Sequence, residues 1–259
     1  MNKEIISAKA LEAIKNFRLI DDTFMSIVLD DKDTAEFLIQ LLLNNDTIEI
    51  EKVKTQSPIK SLTEHSVIFD CFAKDKNGNL YDIEIQRAIK GASPKRARYN
   101  SAMLDADSLP KGKDYSEMRE SYVIFITEDD FFNKGLAAYH IERKIEELDN
   151  AYFNDGSHII YVNSQYQEND DLGRLMRDFY QTDANEIYHK PLADRVRYFK
   201  EDSEGVRKMC KISEDLINEG KAEIIAKMIS NGLSYEEISQ YIGLSVEEIK
   251  KLVEMLSVH

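Results

Sequence analysis

The sequence predicts a mixed α/β fold in which helices flank a central mixed sheet, followed by a small C-terminal helical unit. Three observations indicate this fold. Residues 66–86 have the pattern of two short strands around a turn. Residues 121–127, SYVIFIT, form a continuous apolar run that is typical of a buried central strand. Apolar residues elsewhere recur at helical spacing, and residues 221–256 do so as a separate stretch. We therefore expect one main domain over residues 1–218 and a helical tail over residues 219–259.

The turn of the proposed hairpin lies at residues 75–78, DKNG. Asp at the first position and Gly at the fourth favour a type I turn, and a three-residue loop with a left-handed Gly uses the same residues. With a two-residue turn at Asn77-Gly78, Cys71 would oppose Glu84, which mixes an apolar residue and an acid on one face. With the three-residue loop, Cys71 opposes Ile83. A slip of one residue moves every side chain to the wrong face, so we expect the three-residue loop.

This register places two carboxylates on adjacent strands of the polar face. Asp70 lies directly opposite Glu84, with Asp82 and Gln86 beside them, and the opposed Cβ atoms are about 5 Å apart. Two like charges this close are stable only if one carboxyl is protonated or a cation lies between them. Oxygen ligands from two acids suit Mg²⁺ or Mn²⁺. On the pairing alone, the solvated polar face of a half-buried hairpin explains these acids at least as well.

Composition indicates a folded protein without a membrane span. The 259 residues are 42% hydrophobic and 9% aromatic. No run of about 18 apolar residues occurs, and the N-terminus lacks the apolar core of a signal peptide. The two cysteines, Cys71 and Cys210, lie in apolar contexts, and no Cys/His spacing indicates zinc. Because such cysteines are typical of reduced, buried thiols, we expect a cytoplasmic protein.

The net charge of −14 argues against general affinity for nucleic acid, because phosphate binding needs positive potential. The charges are unevenly distributed, however. Residues 87–119 contain eight Lys or Arg against four acids, and residues 190–211 contain seven against four. A locally basic strip on an acidic protein can still bind phosphate, especially where a divalent cation bridges the two. DNA therefore remains a candidate partner.

Helices and further strands are predicted on both sides of the hairpin. Asp21 or Asp22 is suited to be the N-cap of one helix, and Asp33 or Thr34 the N-cap of the next. Residues 48–54 alternate like an edge strand that a Gln-Ser-Pro sequence should end. The remaining predictions are a helix over residues 7–17, a strand over residues 158–163, and helices over residues 170–180, 189–199 and 205–217.

A helix is predicted to begin at Ser93-Pro94, directly after the hairpin, and to reach about Leu104. Proline suits the first turn of a helix. Arg96 and Tyr99 are three residues apart and therefore share a face. The basic residues at the start of this helix, Arg96 among them, have two interpretations of equal weight. They form either an ordinary solvated helix surface or a set of phosphate contacts beside the acidic strand.

The tail has helix-turn-helix spacing. Ser234 with Glu237 and Ser245 with Glu248 form two capping boxes, and Gly243 lies between the helices that they start. The second helix, VEEIKKLVEML, contains no Arg, Asn or Gln with which to read bases. We therefore favour a role in packing or homo-oligomerisation over sequence-specific DNA binding, which remains the alternative.

The hairpin with Asp70 and Glu84-Ile85-Gln86 resembles the core of PD-(D/E)XK nucleases, in the variant where Gln replaces Lys. The chain is more closely similar to the recombination-promoting nuclease and transposase family of bacteria. The matching segments are DDTF at residues 21–24, the hairpin FDCFAKDKNGNLYDIEIQ, PKRARYNSAMLDADSLPKGKDYSEM with the strand YVIFIT, LGRLMRDFYQTDANEIYHKPLADRVRYFK, and GKAEIIAKMISNGLSYEEI in the tail. The resemblance implies a PD-(D/E)XK nuclease-like sheet flanked by helices and Mg²⁺-dependent DNA endonuclease activity.

The resemblance also implies roles for individual residues. Asp70 and Glu84 would bind the metal, with the Ile85 carbonyl as a third ligand, and Gln86 would orient the attacking water or the scissile phosphate. Because Gln86 is neutral, it cannot stabilise developing charge as an ammonium group does. Two further implied roles are an additional acid at Asp21 and contacts to the phosphate backbone from Arg96 and Tyr99. The alternative is a non-catalytic regulator that binds nucleic acid or protein through the C-terminal unit.

Overall fold

In a computed structural model, the chain forms a six-stranded mixed β-sheet with helices packed against it. The structure describes residues 8–59, 67–109 and 111–256. The strands are β1 (Ile50–Ile59), β2 (Val67–Asp75), β3 (Leu80–Gln86), β4 (Ser121–Thr127), β5 (Ala138–Ile141), β6 (Lys144–Ile145), β7 (Ala151–Tyr152) and β8 (Ser157–Asn163). The helices are α1 (Ala8–Asn16), α2 (Asp22–Leu29), α3 (Lys32–Leu43), α4 (Pro94–Ser108), α5 (Asp171–Asp178), α6 (Lys190–Glu201), α7 (Ser203–Ser230), α8 (Tyr235–Ile242) and α9 (Val246–Leu256). None of these described helices combines the length and the apolar character that crossing a bilayer requires.

The strand order of the large sheet is β1-β2-β3-β4-β8-β5, while β6 and β7 form a separate two-stranded sheet. β1, β2 and β3 pair antiparallel, β3, β4 and β8 pair parallel, and β5 is antiparallel to β8. β4 has a parallel neighbour on each side, which explains its uninterrupted apolar sequence. The predicted mixed α/β fold, with helices around a mixed central sheet and a small C-terminal helical unit, is confirmed.

The β2–β3 hairpin has the predicted register. The recorded pairs include Cys71 with Ile83 and Ala73 with Tyr81. The Gly78 amide donates to the Asp75 carbonyl at 3.0 Å, and Gly78 has a φ of +89°. Glycine adopts this left-handed conformation without steric cost, so the three-residue loop closes as predicted. Because side chains alternate along β3, Asp82 and Glu84 lie on the same face of the sheet.

The edge strand β1 is longer than predicted. The sequence predicts a strand over residues 48–54 that ends at residues 56–58, but β1 extends to Ile59. Gln56 has a φ of +48°, yet the pairing with β2 continues unchanged on either side of it. Pro58 is tolerated because an edge strand leaves one side of its backbone without a partner strand.

α4 packs on the sheet face that carries Asp82 and Glu84. It begins as predicted, because the Ser93 hydroxyl accepts a hydrogen bond from the Arg96 amide at 3.3 Å and Pro94 occupies the first turn. It continues to Ser108, four residues beyond the predicted end. The core between α4 and the sheet includes Ala97, Met103, Leu104, Leu80, Val123, Phe125 and Tyr161.

The N-cap of α3 differs from the prediction, whereas α2 has its N-cap at one of the two predicted residues. Asp31, rather than Asp33 or Thr34, caps α3, because its carboxylate accepts from the Thr34 amide at 3.0 Å and from the Thr34 hydroxyl at 2.7 Å. Asp21 occupies the N-cap position of α2 but makes no capping hydrogen bond. Its side chain binds arginines instead, as described below.

The chain divides into two compact units. One comprises residues 17–197 with the large sheet, and the other joins the residues up to Asn16 with those from Tyr198 onward. The predicted boundary between residues 1–218 and 219–259 lies inside α7, which continues without a break to Ser230. The bounds of the units therefore differ from the predicted ones. Whether residues 1–218 and 219–259 fold as separate domains stays a prediction.

The C-terminal helices α7, α8 and α9 share a small hydrophobic core centred on Ile225, Ile238 and Ile249. Gly243, with a φ of +73°, ends α8. Both predicted capping boxes are present, formed by Ser234 with Glu237 and by Ser245 with Glu248. The apolar stripe of α9 is thus used for packing against α7 and α8.

Candidate active site

The candidate site lies where β2 and β3 separate. Their ladder of paired residues ends at Cys71 and Ile83. Beyond it, Asp70 Oδ2 accepts a hydrogen bond from the Ile85 amide at 3.0 Å, and the Asp70 amide donates to Glu84 Oε1 at 3.4 Å. Side-chain oxygens thus replace the main-chain ladder. The carboxylates of Asp70 and Glu84 are therefore held together at the gap between the two strands.

The main-chain carbonyl of Ile85 faces the same gap. In an extended strand, the N–H and C=O of one residue point to the same side, and successive residues alternate. The Gln86 carbonyl accepts from the Glu128 amide at 3.0 Å, on the β4 side. The Ile85 amide points to Asp70 on the β2 side, so the Ile85 carbonyl does the same. The Ile85 carbonyl oxygen therefore lies on the same side of β3 as Asp70, and its role as a third metal ligand stays a prediction.

Arg96 connects Glu84 and Gln86 in one hydrogen-bond network. Its Nη2 donates to Glu84 Oε2 at 2.7 Å, and its Nη1 donates to Gln86 Oε1 at 3.3 Å. Gln86 Nε2 donates in turn to Glu84 Oε2 at 3.3 Å. Of the residues predicted to form the site, the structure thus brings Asp70, Glu84, Gln86 and Arg96 together.

Gly91 allows this network to form, a role that sequence reasoning missed. Its carbonyl accepts from Arg96 Nη1 at 3.2 Å. A Cβ atom at this position would lie 1.9 Å from Gln86 Oε1, which is far inside contact distance. Any larger residue would therefore displace the Gln86 side chain. No sequence motif indicates this contact, because it depends on how the short 3₁₀ turn over Ile89–Ala92 folds back on β3.

Asp82 is a further acid on the same face, and it is fully inaccessible to solvent. Its Oδ2 accepts from Asn100 Nδ2 on α4 at 3.2 Å. Its Oδ1 finds no hydrogen-bond partner among the described residues. The alternation of side chains along β3 predicts the face on which Asp82 lies. The burial of Asp82 follows only from the packing of α4 on that face.

Burial raises the pKa values of all three carboxyls. It raises the pKa of Asp70 to about 6, with the Ile85 amide and the charge of Arg96 opposing the rise. Burial and then the charge of Asp70 raise the pKa of Glu84 to about 8, again against Arg96. Burial, followed by the charge of Glu84, raises the pKa of Asp82 well above its usual value. Glu84 therefore keeps its proton near neutral pH, because ionising all three carboxyls would place more negative charge here than one arginine offsets.

Asp21, the predicted additional acid, is bound by two arginines. Its Oδ1 lies 3.3 Å from Arg18 Nη2 and 3.2 Å from Arg87 Nη1. The negative charge of the adjacent Asp22 affects Asp70. Burial is the largest cause of the raised pKa of Asp70, and the charge of Asp22 raises it further. Sequence reasoning considered Asp22 only as a helix cap. The additional role of Asp21 stays a prediction.

Tyr99 lies on α4 one turn after Arg96, and 39% of its surface is exposed. The side chain of Arg96 is exposed to a similar extent, at 38%. Both side chains of the predicted phosphate contact are thus open to solvent at the start of α4. Their contact with a phosphate backbone stays a prediction.

A family model described as PD-(D/E)XK nuclease family transposase matches residues 30–172, which is more than half of the 259 residues. The chain belongs to this family. No curated protein and no solved structure matches the chain. The matched region contains Asp70, Glu84, Gln86, Arg96 and Tyr99. Membership supports a function of nuclease or transposase type.

The chemistry of the candidate site fits a hard divalent cation. In the described part of the chain, no three Asp, Glu, His or Cys side chains are grouped to hold a metal by themselves. Asp70, Glu84 and the Ile85 carbonyl offer three oxygens, and Mg²⁺ commonly completes its shell with water and phosphate. When these carboxyls ionise, their negative charge exceeds what Arg96 offsets, as the raised pKa values of Asp70 and Glu84 and the unpartnered Asp82 Oδ1 indicate. A bound dication would offset that excess.

Proposed function

We propose that the protein is a metal-dependent DNA endonuclease of the transposase or recombination type, which hydrolyses phosphodiester bonds. The observation that carries this proposal is the pair of carboxyl groups held at the gap between β2 and β3, the half-buried Asp70 and the buried Glu84. Buried acids without full charge compensation are unfavourable for stability alone, and they cluster at functional sites. Membership of the family supports the reaction class.

Asp70, Glu84 and the Ile85 carbonyl would hold Mg²⁺ or Mn²⁺. When bound, the cation supplies a Lewis acid that lowers the pKa of water and offsets charge on the phosphate. The carboxylates must lose their protons to serve as ligands, which their raised pKa values oppose below about pH 6 to 8. The Ile85 amide holds Asp70 in orientation.

Gln86 and Arg96 would act on the substrate side of the site. Gln86 has one donor and one acceptor group in its amide and would orient water or the scissile phosphate, but it cannot supply a positive charge. Arg96 does carry a permanent charge, and its guanidinium group suits phosphate oxygens. Arg96 would therefore supply part of the charge stabilisation that a lysine provides in other PD-(D/E)XK nucleases. Tyr99 would position the phosphate backbone, and Asp21 would serve as an additional acid.

Location and assembly are further parts of the proposal. We place the protein in the cytoplasm, where DNA is accessible and where the buried free thiols of Cys71 and Cys210 stay reduced. We also propose that the protein forms a homo-oligomer. Two cuts on opposite DNA strands are simplest for two copies of one active site.

The experiment is cleavage of supercoiled plasmid DNA by the purified protein with Mg²⁺, with Mn²⁺ and with EDTA. The variants are Asp70→Asn and Glu84→Gln, which keep the side-chain shape but remove the charge. Asp33→Asn is the matched control, because the Asp33 side chain is 89% exposed on α3. We expect metal-dependent cleavage by the parent and the control, and a loss of about 100-fold or more in the two site variants.

Cleavage that persists unchanged in both site variants would show that another protein in the preparation cuts the DNA. DNA binding without cleavage, unaffected by EDTA and by both variants, would favour the non-catalytic regulator. Either result would overturn the assignment of Asp70 and Glu84 as metal ligands.

A further inference from the structure

A groove of about 560 Å³ lies at the hairpin end of the sheet, apart from the paired carboxylates. It is formed by β1, β2, the loop of the hairpin, the end of α4 and the segment that follows α4. Six basic side chains line it, namely Lys52, Lys54, Lys74, Lys76, Lys113 and Arg119. Three acids also line it, namely Glu51, Asp107 and Glu117. The groove is therefore positively charged on a chain with a net charge of −14.

Most of these cations are not neutralised within the protein. Lys76 pairs with Glu49, and Lys113 pairs with Glu117 at 2.9 Å. The other four form no ion pair with any residue that the structure describes. These four are Lys52, Lys54, Lys74 and Arg119.

The strand register forces two of the lysines together. Lys52 on β1 is the direct partner of Lys74 on β2. Like charges directly opposite each other on neighbouring strands are destabilising. The folded protein is therefore destabilised by the repulsion between these two lysines. A polyanion bound in the groove would screen this repulsion, and the relief would add to the free energy of binding.

The groove lies on the same face of the sheet as Glu84 of the candidate active site. Lys54 pairs with Phe72, and Phe72 pairs with Asp82, so these three side chains form one row across the sheet face that carries Glu84. Along β2, Lys74 is four residues from Asp70, which corresponds to about 13 Å at roughly 3.3 Å per residue. Each strand of B-DNA carries one phosphate per roughly 3.4 Å of helix axis. A duplex cut at Asp70 and Glu84 would therefore have other phosphates within reach of the lysines.

We propose that this groove binds the phosphate backbone of duplex DNA beside the scissile phosphate. Lys52, Lys54, Lys74 and Arg119 supply the contacts. The inference rests on the proposed function, since it assigns the path of the DNA substrate. It also explains how an acidic protein gains affinity for DNA, because the repulsive net charge is outweighed locally where the backbone lies. Contacts of this kind are independent of base sequence and depend steeply on salt.

The test is binding of a fluorescently labelled 20-base-pair DNA duplex by the full-length Asp70→Asn protein, which holds the duplex without cutting it. Fluorescence anisotropy gives the Kd between 50 and 200 mM salt. The groove variant carries Lys52→Gln, Lys54→Gln and Lys74→Gln in addition. The matched control carries Lys32→Gln, Lys134→Gln and Lys144→Gln, three exposed lysines outside the groove and outside both basic stretches of the sequence. A third variant carries Lys52→Arg, Lys54→Arg and Lys74→Arg and so keeps the positive charge of the groove.

We expect the groove variant to bind at least tenfold more weakly at 50 mM salt. The slope of log Kd against log salt should fall by up to about 2.7, which corresponds to three phosphate contacts at roughly 0.9 each. The control and the Arg variant should keep the parent slope. Thermal melting should show the groove variant at least as stable as the parent, because the repulsion between Lys52 and Lys74 is gone. Equal Kd and equal slope in the folded groove variant would overturn the proposal.

The two proposals fail in different ways. If the parent cuts plasmid with Mg²⁺ or Mn²⁺ and the groove variant binds DNA normally, the endonuclease assignment stands and the groove assignment falls. If no metal supports cleavage but the groove variant loses binding and salt dependence, the groove assignment stands and the endonuclease assignment falls.

Discussion

Arg96 Nη2 lies 2.7 Å from Oε2 of Glu84, a carboxylate that is fully buried. The pair joins the first turn of α4 to strand β3. Among the described residues, Arg96 is the ion-pair partner of Glu84. The guanidinium group favours the ionised form of Glu84 and so opposes the burial that raises the pKa of this acid to about 8. Because Glu84 is also a proposed metal ligand, loss of Arg96 should affect both the stability of the folded protein and metal binding.

Replacement of Arg96 by Met should destabilise the metal-free protein at high pH and much less at low pH. Glu84 has a pKa of about 8 with Arg96 present, and removal of Arg96 raises it further. At pH 9 the variant must therefore either retain a proton on Glu84 or bury its charge without a cation, whereas at pH 6 Glu84 is protonated in both proteins. Because the Arg96 side chain is partly exposed, we expect a cost of about 1–2 kcal/mol at pH 9, below the value for a fully buried pair.

Urea unfolding at the two pH values measures this cost. Arg98→Met is the control, since Arg98 lies on the exposed side of the same helix. An equal loss of unfolding free energy at pH 6 and pH 9 would show that Arg96 contributes through packing rather than charge.

The metal-free protein should lose stability as the pH rises from about 4 to about 8. The pKa of Asp70 rises from 3.8 to about 6 on folding, and that of Glu84 from 4.5 to about 8. In this window the unfolded chain releases these protons while the folded chain still holds them, so the unfolding free energy falls with pH. The contribution is fully present below pH 4 and is lost as the pH passes 6 and then 8.

Denaturant unfolding in EDTA between pH 5 and pH 9 tests this expectation. Asp70→Asn should flatten the lower part of the curve, and Glu84→Gln the upper part. A stability profile that both variants leave unchanged in slope would contradict the raised pKa values.

Divalent metal should stabilise the protein more at pH 8 than at pH 6. Binding requires the ionised carboxylates, so protons must leave Asp70 and Glu84 as the cation enters. We expect isothermal titration calorimetry with Mn²⁺ to show proton release near pH 7, through the dependence of the measured heat on the buffer. Affinity should rise with pH and should be lost in Asp70→Asn. Binding that is independent of pH would place the metal elsewhere.

Gly91→Ala should lower cleavage by about 10- to 100-fold while the protein remains folded. The added Cβ would lie 1.9 Å from Gln86 Oε1, so Gln86 must leave its position beside Glu84 and Arg96. Misplacement of a positioning group by about 1 Å can cost about 100-fold in rate. The rate of plasmid cleavage and the melting temperature are measured together.

Gly220→Ala is the matched control for this substitution, because a Cβ at Gly220 meets nothing within 4 Å. It should leave the cleavage rate unchanged. Full activity in a stably folded Gly91→Ala protein would mean that Gln86 does not need its observed position.

The sequence by itself determined the local parts of the site. The register of the β2–β3 hairpin follows from the loop chemistry of residues 75–78 and from alternation, because a slip would expose the apolar face. The start of α4 follows from Ser93 and Pro94, which act on their own neighbours. These two elements are enough to predict that Asp70 and Glu84 face each other. The short strands β5, β6 and β7 were not predicted, because so few residues carry little periodicity.

Only the tertiary structure decided what surrounds the two acids. The bond from Arg96 to Glu84, the contact of Gly91 with Gln86, and the burial of Asp82 under Asn100 all depend on the angle at which α4 packs on the sheet. The basic groove assembles lysines of β1 and β2 with residues beyond α4. No periodicity encodes these contacts, because they join elements that are separate in the sequence. Their strength depends on burial, which exists only once the chain has folded.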